Sequence, residues 1–285
     1  MILSYHPLFV ADENRLCAGR HPDGADRDAM RRAAAVILPQ GAYRSLYEMA
    51  RENCPHVFPG MDRRFSHPGK TGQARLFAEA AVPHPPTWIY SDCGQLDADR
   101  PPHPFPFVLK LDWGGEGRNV FLIDAPSAWT SALDLLRACE STGQFGFVVQ
   151  ERVPAAGRAL RVAVIGARAA AYWRVRPDAG FTANLAQGAT IDRLSDPHLM
   201  TAGIDAAMAF CRRENIDLAG LDFLFNADHE NPEPLFLEIN WVFGRRGLGG
   251  SEGFYRLLIP EIHRWLAQRN LVVESALHPR PGFGL

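Results

Sequence analysis

Two apolar segments in the last quarter of the sequence, residues 221–225 and 234–240, restrict the fold most strongly. Both alternate as strands do and an acidic turn separates them, so they predict an antiparallel hairpin. In a hairpin centred near Glu230, Asp222 lies directly opposite Glu238, and Asn240 falls on the same face. Facing carboxylates repel each other unless a cation lies between them, and this oxygen cluster suits Mg²⁺. A solvated polar face on an edge strand is the alternative.

A lysine inside an apolar strand is the second restriction. Lys110 lies within residues 106–111, Pro-Phe-Val-Leu-Lys-Leu, where an unpaired ammonium is costly, so an anion is expected beside it. Gly-Gly-Glu-Gly follows at residues 114–117, and its glycines allow backbone amides to approach a phosphate closely. A glycine-rich β-turn is the alternative, and the spacing matches neither a Walker A motif nor a dinucleotide-binding fingerprint.

The order of apolar and chain-breaking segments predicts a mixed α/β (α+β) chain of three units, which a length of 285 residues accommodates. Residues 1–90 are predicted to form a small α/β domain that ends at a proline-rich stretch. Residues 91–150 are predicted to form a lobe of strands with a helix capped by Ser127. Residues 151–285 are predicted to begin with a hairpin at 160–175 and to contain helices at 197–214 and 253–268.

Composition excludes several classes of function. A formal net charge of −2 carries no global signature of nucleic-acid or anionic-membrane binding. No window approaches the ~18 apolar residues of a spanning helix, and no leader segment is recognised, so a cytoplasmic protein is expected. The five cysteines are scattered and never spaced as Cys-x-x-Cys, which argues against a disulfide framework and a thiolate zinc site.

Further motifs extend these two features in a fixed order. Lys70 opens a helical segment that ends at the proline-rich stretch, and residues 149–154 are Val-Gln-Glu-Arg-Val-Pro. Arg161 lies in an apolar strand, and Asn184 lies in Ala-Asn-Leu-Ala-Gln-Gly. Together with the Gly-x-Asp and Glu-x-Asn patterns of the hairpin, this order resembles the ATP-grasp superfamily, in motif style the RimK-like glutamate ligases and glutathione synthetases. The resemblance covers roughly residues 65–250.

The resemblance implies an ATP-grasp fold, in which two α+β lobes clasp ATP behind a small N-terminal α/β domain. It assigns residues to the nucleotide: Lys70, Lys110, Gly114, Gly115, Gly117, Gln150, Glu151, Arg152, Val153 and Asn184. It assigns a second set to the metal ion: Asp222, Glu238 and Asn240. The implied cofactors are ATP and Mg²⁺, with Mn²⁺ as an alternative ion.

Departures from the family pattern bear on the substrate. Ala159 stands where relatives often carry an aspartate near the ribose, and Thr182 stands where glutamate ligases have an arginine, which weakens the transfer of glutamate as substrate. Arg245 and Arg246 follow the metal-ligand strand in a glycine-flanked segment. They predict a flexible clamp for a carboxylate or phosphate of the substrate. A loop that only covers the end of the sheet is the alternative.

The resemblance also implies a reaction: activation of a carboxylate as an acylphosphate, coupling to an amine or similar nucleophile, and release of ADP and phosphate. Arg161 and Arg174 are the candidate catalytic residues, because a tetrahedral oxyanion is stabilised by a positioned arginine. Arg176 is expected on the same strand and face as Arg174, where either side chain can bind a substrate carboxylate. A solvated strand face is the alternative for these arginines.

Two other functions stay open. A few ATP-grasp folds resemble kinases that phosphorylate a small molecule, and others serve as non-catalytic ATP-binding regulators. The expected partners are a small acid and a small amine, or a peptide or protein acceptor, with neither nucleic acid nor membrane. The oligomeric state is left open as well.

Overall fold

The computed structural model describes residues 1–97, 100–114, 119–176 and 188–274. Within these ranges the chain forms three sheets, of four, four and five strands. Four residues singled out in the sequence lie outside the described residues: Gly115, Gly117, Thr182 and Asn184. The mixed α/β class is confirmed.

The N-terminal sheet is parallel, in the strand order β2-β1-β3-β4. Its strands are β1 (Ile2–Ser4), β2 (Glu13–Asn14), β3 (Ala35–Ile37) and β4 (Val57–Phe58), and the helices of this region are α1 (Gly24–Arg32), α2 (Arg44–Asn53) and α3 (Asp62–Ser66). The side chains of β1 and β3 are buried on both faces, as the near-continuous apolar runs of parallel strands require. The α/β unit predicted for the start of the chain is therefore present.

The middle sheet is antiparallel, in the order β5-β8-β6-β7. It consists of β5 (Thr87–Tyr90), β6 (Phe107–Leu111), β7 (Val120–Ile123) and β8 (Phe147–Glu151), with the helix α5 (Pro126–Ser141). The predicted cap at Ser127 is wrong, since Ala125 occupies the cap position without a side-chain bond and Pro126 starts the helix. Proline suits the first helical position because its ring presets φ and its missing N–H is not needed there.

The C-terminal sheet is antiparallel, in the order β11-β10-β9-β12-β13. Its elements are β9 (Arg158–Ile165), β10 (Arg168–Val175), β11 (Thr190–Asp192), β12 (Leu218–Leu224) and β13 (Leu235–Asn240), with helices α6 (Pro197–Arg213) and α7 (Gly250–Ala267). The predicted β9–β10 hairpin and both helices are confirmed to within a few residues. In the β12–β13 pair, Asp222 lies opposite Glu238, as the alternation predicted.

The helix α4 (Gly69–Glu79) brings the middle and C-terminal sheets together. Its residues Leu76 and Phe77 pack in one core cluster with side chains of β9, β12, β13 and α6. Its N-terminus contacts the end of β6, where the amide of Thr71 donates a hydrogen bond to Asp112. The division at residues 90 and 150 stays a prediction, although β5, placed before the first limit, is hydrogen-bonded within the middle sheet. No helix of the described residues is long and apolar enough to cross a membrane.

Candidate active site

A cavity of about 360 Å³ lies between the middle and C-terminal sheets, with α4 along one side. One part of its wall is apolar and is formed by Phe77, Val108, Val120, Val148, Leu224 and Leu237. Another part is charged and contains Lys70, Lys110, Arg174, Asp222 and Glu238. A cavity with an apolar slot and a charged end is complementary to a ligand that carries an aromatic ring system and charged groups.

The lysines of the cavity come from two different elements. Lys110 lies on β6, an inner strand of the middle sheet, and is 8% exposed. Burial lowers the pKa of Lys110 to about 8; the charge of Lys70 adds to this effect, while Glu238 and Asp222 oppose it. Lys70 lies in the first turn of α4, and its Nζ atom is 3.4 Å from the carbonyl oxygen of Gly114. Two ammonium groups therefore share a cavity in which an anion would relieve their repulsion.

Asp222 is the buried centre of the charged wall. Its Oδ2 atom accepts hydrogen bonds from Nη2 of Arg161 at 2.9 Å and Nδ2 of Asn240 at 3.1 Å, and Nε of Arg161 bonds its Oδ1 atom. Nη2 of Arg174 lies 2.8 Å from the same Oδ2 atom. Burial on its own would raise the pKa of Asp222, but the two guanidinium charges outweigh it, and the pKa is lowered. Asp222 is therefore an anion in the folded protein.

Glu238 faces Asp222 in register and differs from it in environment. Its side chain is half-buried, lines the cavity and interacts electrostatically with Lys110 and Arg161. No salt bridge joins Glu238 to another residue within the described ranges. Two carboxylates and the Asn240 amide provide only oxygen ligands for a cation, and oxygen is the donor that Mg²⁺ and Mn²⁺ prefer.

This donor set fits a divalent ion whose remaining ligands come from phosphate and water. In the part of the chain that the structure describes, no cluster of three or more His, Cys, Asp or Glu side chains is arranged for a metal. Side chains of the described residues therefore do not supply a complete set of metal ligands. This agrees with an ion held by one or two carboxylates and a substrate phosphate. A cation bound here would compete with Arg174 for Asp222.

The two arginines predicted to be catalytic are placed differently. Arg174 lines the cavity, and its buried Nε atom has no hydrogen-bond partner among the described residues. Arg161 is 6% exposed, does not line the cavity and is held against Asp222 by hydrogen bonds from its Nε and Nη2 atoms. Only Arg174 is therefore placed to reach a ligand, while Arg161 orients a residue that does.

The three arginines assigned to substrate do not line the cavity. Arg176 follows the last residue of β10, and its backbone N–H donates to the carbonyl of Gly157 at 2.9 Å. The guanidinium of Arg245 lies 4.5 Å and 4.7 Å from the ring centroids of Phe254 and Tyr255, a cation–π arrangement that holds it on α7. Arg246 is exposed. The cavity wall that contains Asp222 and Glu238 therefore does not include these three arginines.

The segment assigned to the adenine does line the cavity. Gln150, Glu151, Arg152 and Val153 all contribute to its wall, as does Ala159. The side-chain amide of Gln150 donates to Oγ1 of Thr87 at 2.8 Å, which ties the end of β8 to β5. The glycine-rich segment is described only at Gly114, which is exposed and has a φ of 85°.

Gln73 on α4, which lines the cavity, was missed by the sequence analysis. Its Nε2 atom donates to the carbonyl of Ile239 at 2.9 Å, and the Ile239 N–H donates to its Oε1 atom at 2.8 Å. Because β13 is the edge strand of its sheet, this side chain satisfies backbone groups that a neighbouring strand would otherwise pair. Ile239 lies between Glu238 and Asn240, so Gln73 fixes the strand that carries both. A glutamine on an apolar helix face was the available signal.

The comparison with known families decides the identity of this architecture. The model of the RimK-like ATP-grasp domain matches residues 69–252, more than half of the chain. The chain belongs to the RimK-like ATP-grasp family. Its match runs from the start of α4 to the first turn of α7 and so includes every residue of the charged wall. Membership of this family implies ATP binding with a divalent metal ion, for which the cavity has an apolar slot, two lysines and facing carboxylates.

Similar proteins agree with this assignment. A probable alpha-L-glutamate ligase of Xanthomonas campestris pv. campestris is 32% identical over 153 residues, which cover 53% of this chain and 48% of the relative. The chain thus spans about half the length of the curated relatives that it matches. A RimK-domain ATP-grasp protein of Sphaerobacter thermophilus has the same fold, with a TM-score of 0.63 at 16% identity over 91% of this chain and 98% of that one.

A second solved structure extends the likeness of fold. The D-alanine–D-alanine ligase of Bacillus anthracis matches with a TM-score of 0.60 at 12% identity, over 90% of this chain and 89% of the other. At such identities the likeness establishes the architecture alone, and the chemistry must be argued from the residues of the site. The ATP-grasp fold expected from the motifs is confirmed.

Proposed function

We propose that this protein is an ATP-dependent carboxylate–amine ligase that works in the cavity between the middle and C-terminal sheets. The observation that carries the proposal is the union in one cavity of Lys70, Lys110 and the facing pair Asp222 and Glu238. Phosphoryl transfer needs positioned cations more than a protein nucleophile, and this wall supplies them. The relatives' name, probable alpha-L-glutamate ligase, supports the same reaction class.

The nucleotide is proposed to lie with its adenine in the apolar slot and its phosphates at the charged wall. The backbone of residues 150–153 lines the cavity and would contact the edge of the adenine. The apolar side chains of Phe77, Val148 and Leu237 would pack against its faces. Lys70 and Lys110 would bind the phosphates, which stabilises the protonated form of the buried Lys110. Gly115, Gly117 and Asn184 keep their assignment to the nucleotide as part of this proposal.

Asp222, Glu238 and Asn240 are the residues proposed to hold Mg²⁺, with Mn²⁺ as the alternative ion. When bound, the ion would neutralise charge on the transferring phosphate oxygens. Arg161 holds Asp222 in the ionised state and in one orientation. This arrangement keeps one oxygen ligand fixed before the nucleotide arrives.

The reaction proposed at this wall has two steps. A carboxylate oxygen of the acid attacks the γ-phosphorus of ATP, and ADP leaves, which forms an acylphosphate. The amine nitrogen then attacks the acyl carbon, and phosphate leaves with one oxygen of the original carboxylate. Arg174 lines the cavity, and its buried Nε atom has no hydrogen-bond partner in the part of the chain that the structure describes; it is the residue proposed to stabilise the oxyanion between addition and departure.

Glutamate is the first substrate to test, because the curated relatives carry the name of a glutamate ligase. Ala159 and Thr182 depart from the pattern of those enzymes, and Arg245 is held on α7 away from the cavity wall. We therefore propose a small acid and a small amine as the substrate class, with a peptide acceptor as an alternative, and do not assign a clamp to Arg245 and Arg246.

An ATP-consumption screen tests this function. The protein is incubated with Mg-ATP and pairs of acids and amines, beginning with glutamate as the acid or as the amine. ADP is measured together with the product mass. The expected product is an amide that forms only when acid, amine and ATP are all present. Lys110→Met is the inactive control, and Asp134→Ala, an exposed site on α5, is the matched active one. A stable phosphorylated product would instead identify a kinase, and binding without turnover would indicate a regulator.

A further inference from the structure

The N-terminus of α4 is capped by a residue of another element. Pro68 precedes the helix and offers no side-chain hydrogen bond to it. The amide of Thr71 instead donates to Oδ1 of Asp112 at 2.7 Å, and the amide of Lys70 approaches the carbonyl oxygen of Asp112 at 3.4 Å. Asp112 directly follows β6, so the middle sheet satisfies donors that the first turn of a helix leaves free.

The side chain of Asp112 packs closely against the start of α4. A Cβ atom on Gly69 would lie 2.4 Å from Oδ1 of Asp112, and Gly69 has a φ of 70°, so this glycine permits the approach. The amide of Asp112 donates to the carbonyl of Gly146 at 3.0 Å, which holds its backbone from the other side. The carboxylate is therefore held in one place between the helix and the sheet.

Asp112 stands between the groups proposed to bind phosphate. Lys110 precedes it by two residues on β6, and Gly114 follows it by two. Thr71, the residue it caps, is the neighbour of Lys70, whose Nζ atom is 3.4 Å from the carbonyl of Gly114. One carboxylate thus joins the two chain segments whose lysines line the same cavity.

We propose that Asp112 is a positioning residue: its carboxylate caps α4 from the middle sheet and thereby sets Lys70 against Lys110 for one anionic ligand. The ligand of this inference, Mg-ATP, rests on the proposed function. The link between Asp112 and α4 rests on the observed hydrogen bonds. A purely structural cap would stabilise α4 without making the contribution of Lys70 depend on Asp112. The two possibilities differ in whether the effects of substitutions at residues 70 and 112 are additive.

A double-mutant cycle separates them. The Kd of Mg-ATP is measured by calorimetry for wild type, Asp112→Ala, Lys70→Met and the double variant. We expect each single substitution to weaken binding about tenfold, as loss of one charge-assisted bond does, and the double variant to bind about as weakly as either single one. Additive effects, about a hundredfold in the double variant, would overturn the proposal.

A conservative substitution keeps the test independent of folding. In Asp112→Asn the side-chain oxygen still accepts from Thr71, so we expect a Kd within about threefold of wild type. A loss as large as that of Asp112→Ala would contradict the capping geometry. Asp134→Ala on α5 is the matched control for removal of an aspartate from the same region, and its Kd should equal that of wild type.

Amide hydrogen exchange without nucleotide distinguishes failure of the link from failure of the proposed function. The Thr71 amide should exchange at least tenfold faster in Asp112→Ala than in wild type and stay protected in Asp112→Asn, because protection follows the hydrogen bond. Unchanged exchange in Asp112→Ala would overturn the link. If the Thr71 amide exchanges faster in Asp112→Ala but the wild-type protein does not bind Mg-ATP, the link between Asp112 and α4 is retained and the proposed function is rejected.

Discussion

At the scale of single residues, two carboxylates that look equivalent in the sequence have different surroundings. Alternation along β12 and β13 was enough to predict that Asp222 and Glu238 face each other, because opposite residues of an antiparallel pair share a face. It could not predict that Arg161 and Arg174 both form ion pairs with Asp222, since that depends on the pairing of β9 and β10 beside β12. The structure therefore distinguishes Asp222, which is paired with two arginines, from Glu238, which has no salt bridge among the described residues, although both line the cavity.

This difference predicts losses of stability of different size. Asp222→Asn leaves two buried guanidinium groups without their counter-charge, so the free energy of unfolding should fall by about 3 kcal/mol. Glu238→Gln is a half-buried site without such a pair, and the fall should stay below about 1 kcal/mol. Denaturant unfolding of both variants without nucleotide measures the contrast. Equal losses would show that the arginines do not depend on Asp222.

Lys110 predicts a pH dependence of nucleotide binding. Its pKa is about 8 in the free protein, because burial disfavours the ammonium, and a bound polyphosphate raises it again. Mg-ATP affinity should therefore be constant below pH 7.5 and fall by up to tenfold per unit above pH 8, with proton uptake on binding. Calorimetry in buffers of different ionisation enthalpy measures both quantities. Lys110→Met should bind weakly at every pH without this slope, and a wild-type profile flat to pH 9.5 would contradict the assignment.

The same shift has a defined sign for stability. The folded protein holds the Lys110 proton less tightly than the unfolded chain does, whose lysine pKa is about 10.4. Between pH 8 and that value the unfolded chain binds more protons, so the contribution of Lys110 to stability increases as pH rises. Below pH 8 both states are protonated and the full cost of the buried charge is present.

At the scale of elements, apolar periodicity predicted most of the helices and strands near the site. The β9–β10 and β12–β13 hairpins and the helices α4, α6 and α7 follow from it, because one face of each is buried. The cap of α5 was mispredicted, since Pro126 rather than Ser127 decides where that helix begins. The role of Gln73 was beyond periodicity, because its partner Ile239 is 166 residues away.

The hydrogen bonds of Gln73 predict that its replacement destabilises the edge of the C-terminal sheet. Gln73→Leu conserves much of the side-chain volume but leaves the buried N–H and C=O of Ile239 unpaired, so the free energy of unfolding should fall by about 2–4 kcal/mol. Mg-ATP affinity should fall too, because the strand carries Glu238. Arg75→Ala, an exposed site on the same helix, should stay within about 0.5 kcal/mol of wild type and bind normally. If Gln73→Leu and Arg75→Ala have the same free energy of unfolding and the same Mg-ATP affinity, the role of Gln73 at β13 is refuted.

At the scale of the whole molecule, the ATP-grasp fold was predictable from the order of its motifs, and the family match confirms it. The position of α4 between two sheets was not, because it depends on contacts such as Thr71 with Asp112 that no local pattern encodes. The contacts of Arg245 were not predictable for the same reason: it follows the metal-ligand strand in sequence, yet it lies against the rings of α7, and the substrate clamp stays a prediction. Proximity along the chain did not produce proximity in the cavity.

The central claim, ligation through an acylphosphate, is tested most directly by following one oxygen atom. An acid labelled with ¹⁸O in its carboxylate is incubated with the protein, Mg-ATP and an amine that the consumption screen identifies, and the released phosphate is analysed by mass. Because the carboxylate oxygen that attacks the γ-phosphorus departs with it, the account predicts one ¹⁸O atom in each phosphate and one in the amide. Phosphate without label, at an equal yield of product, would contradict the account.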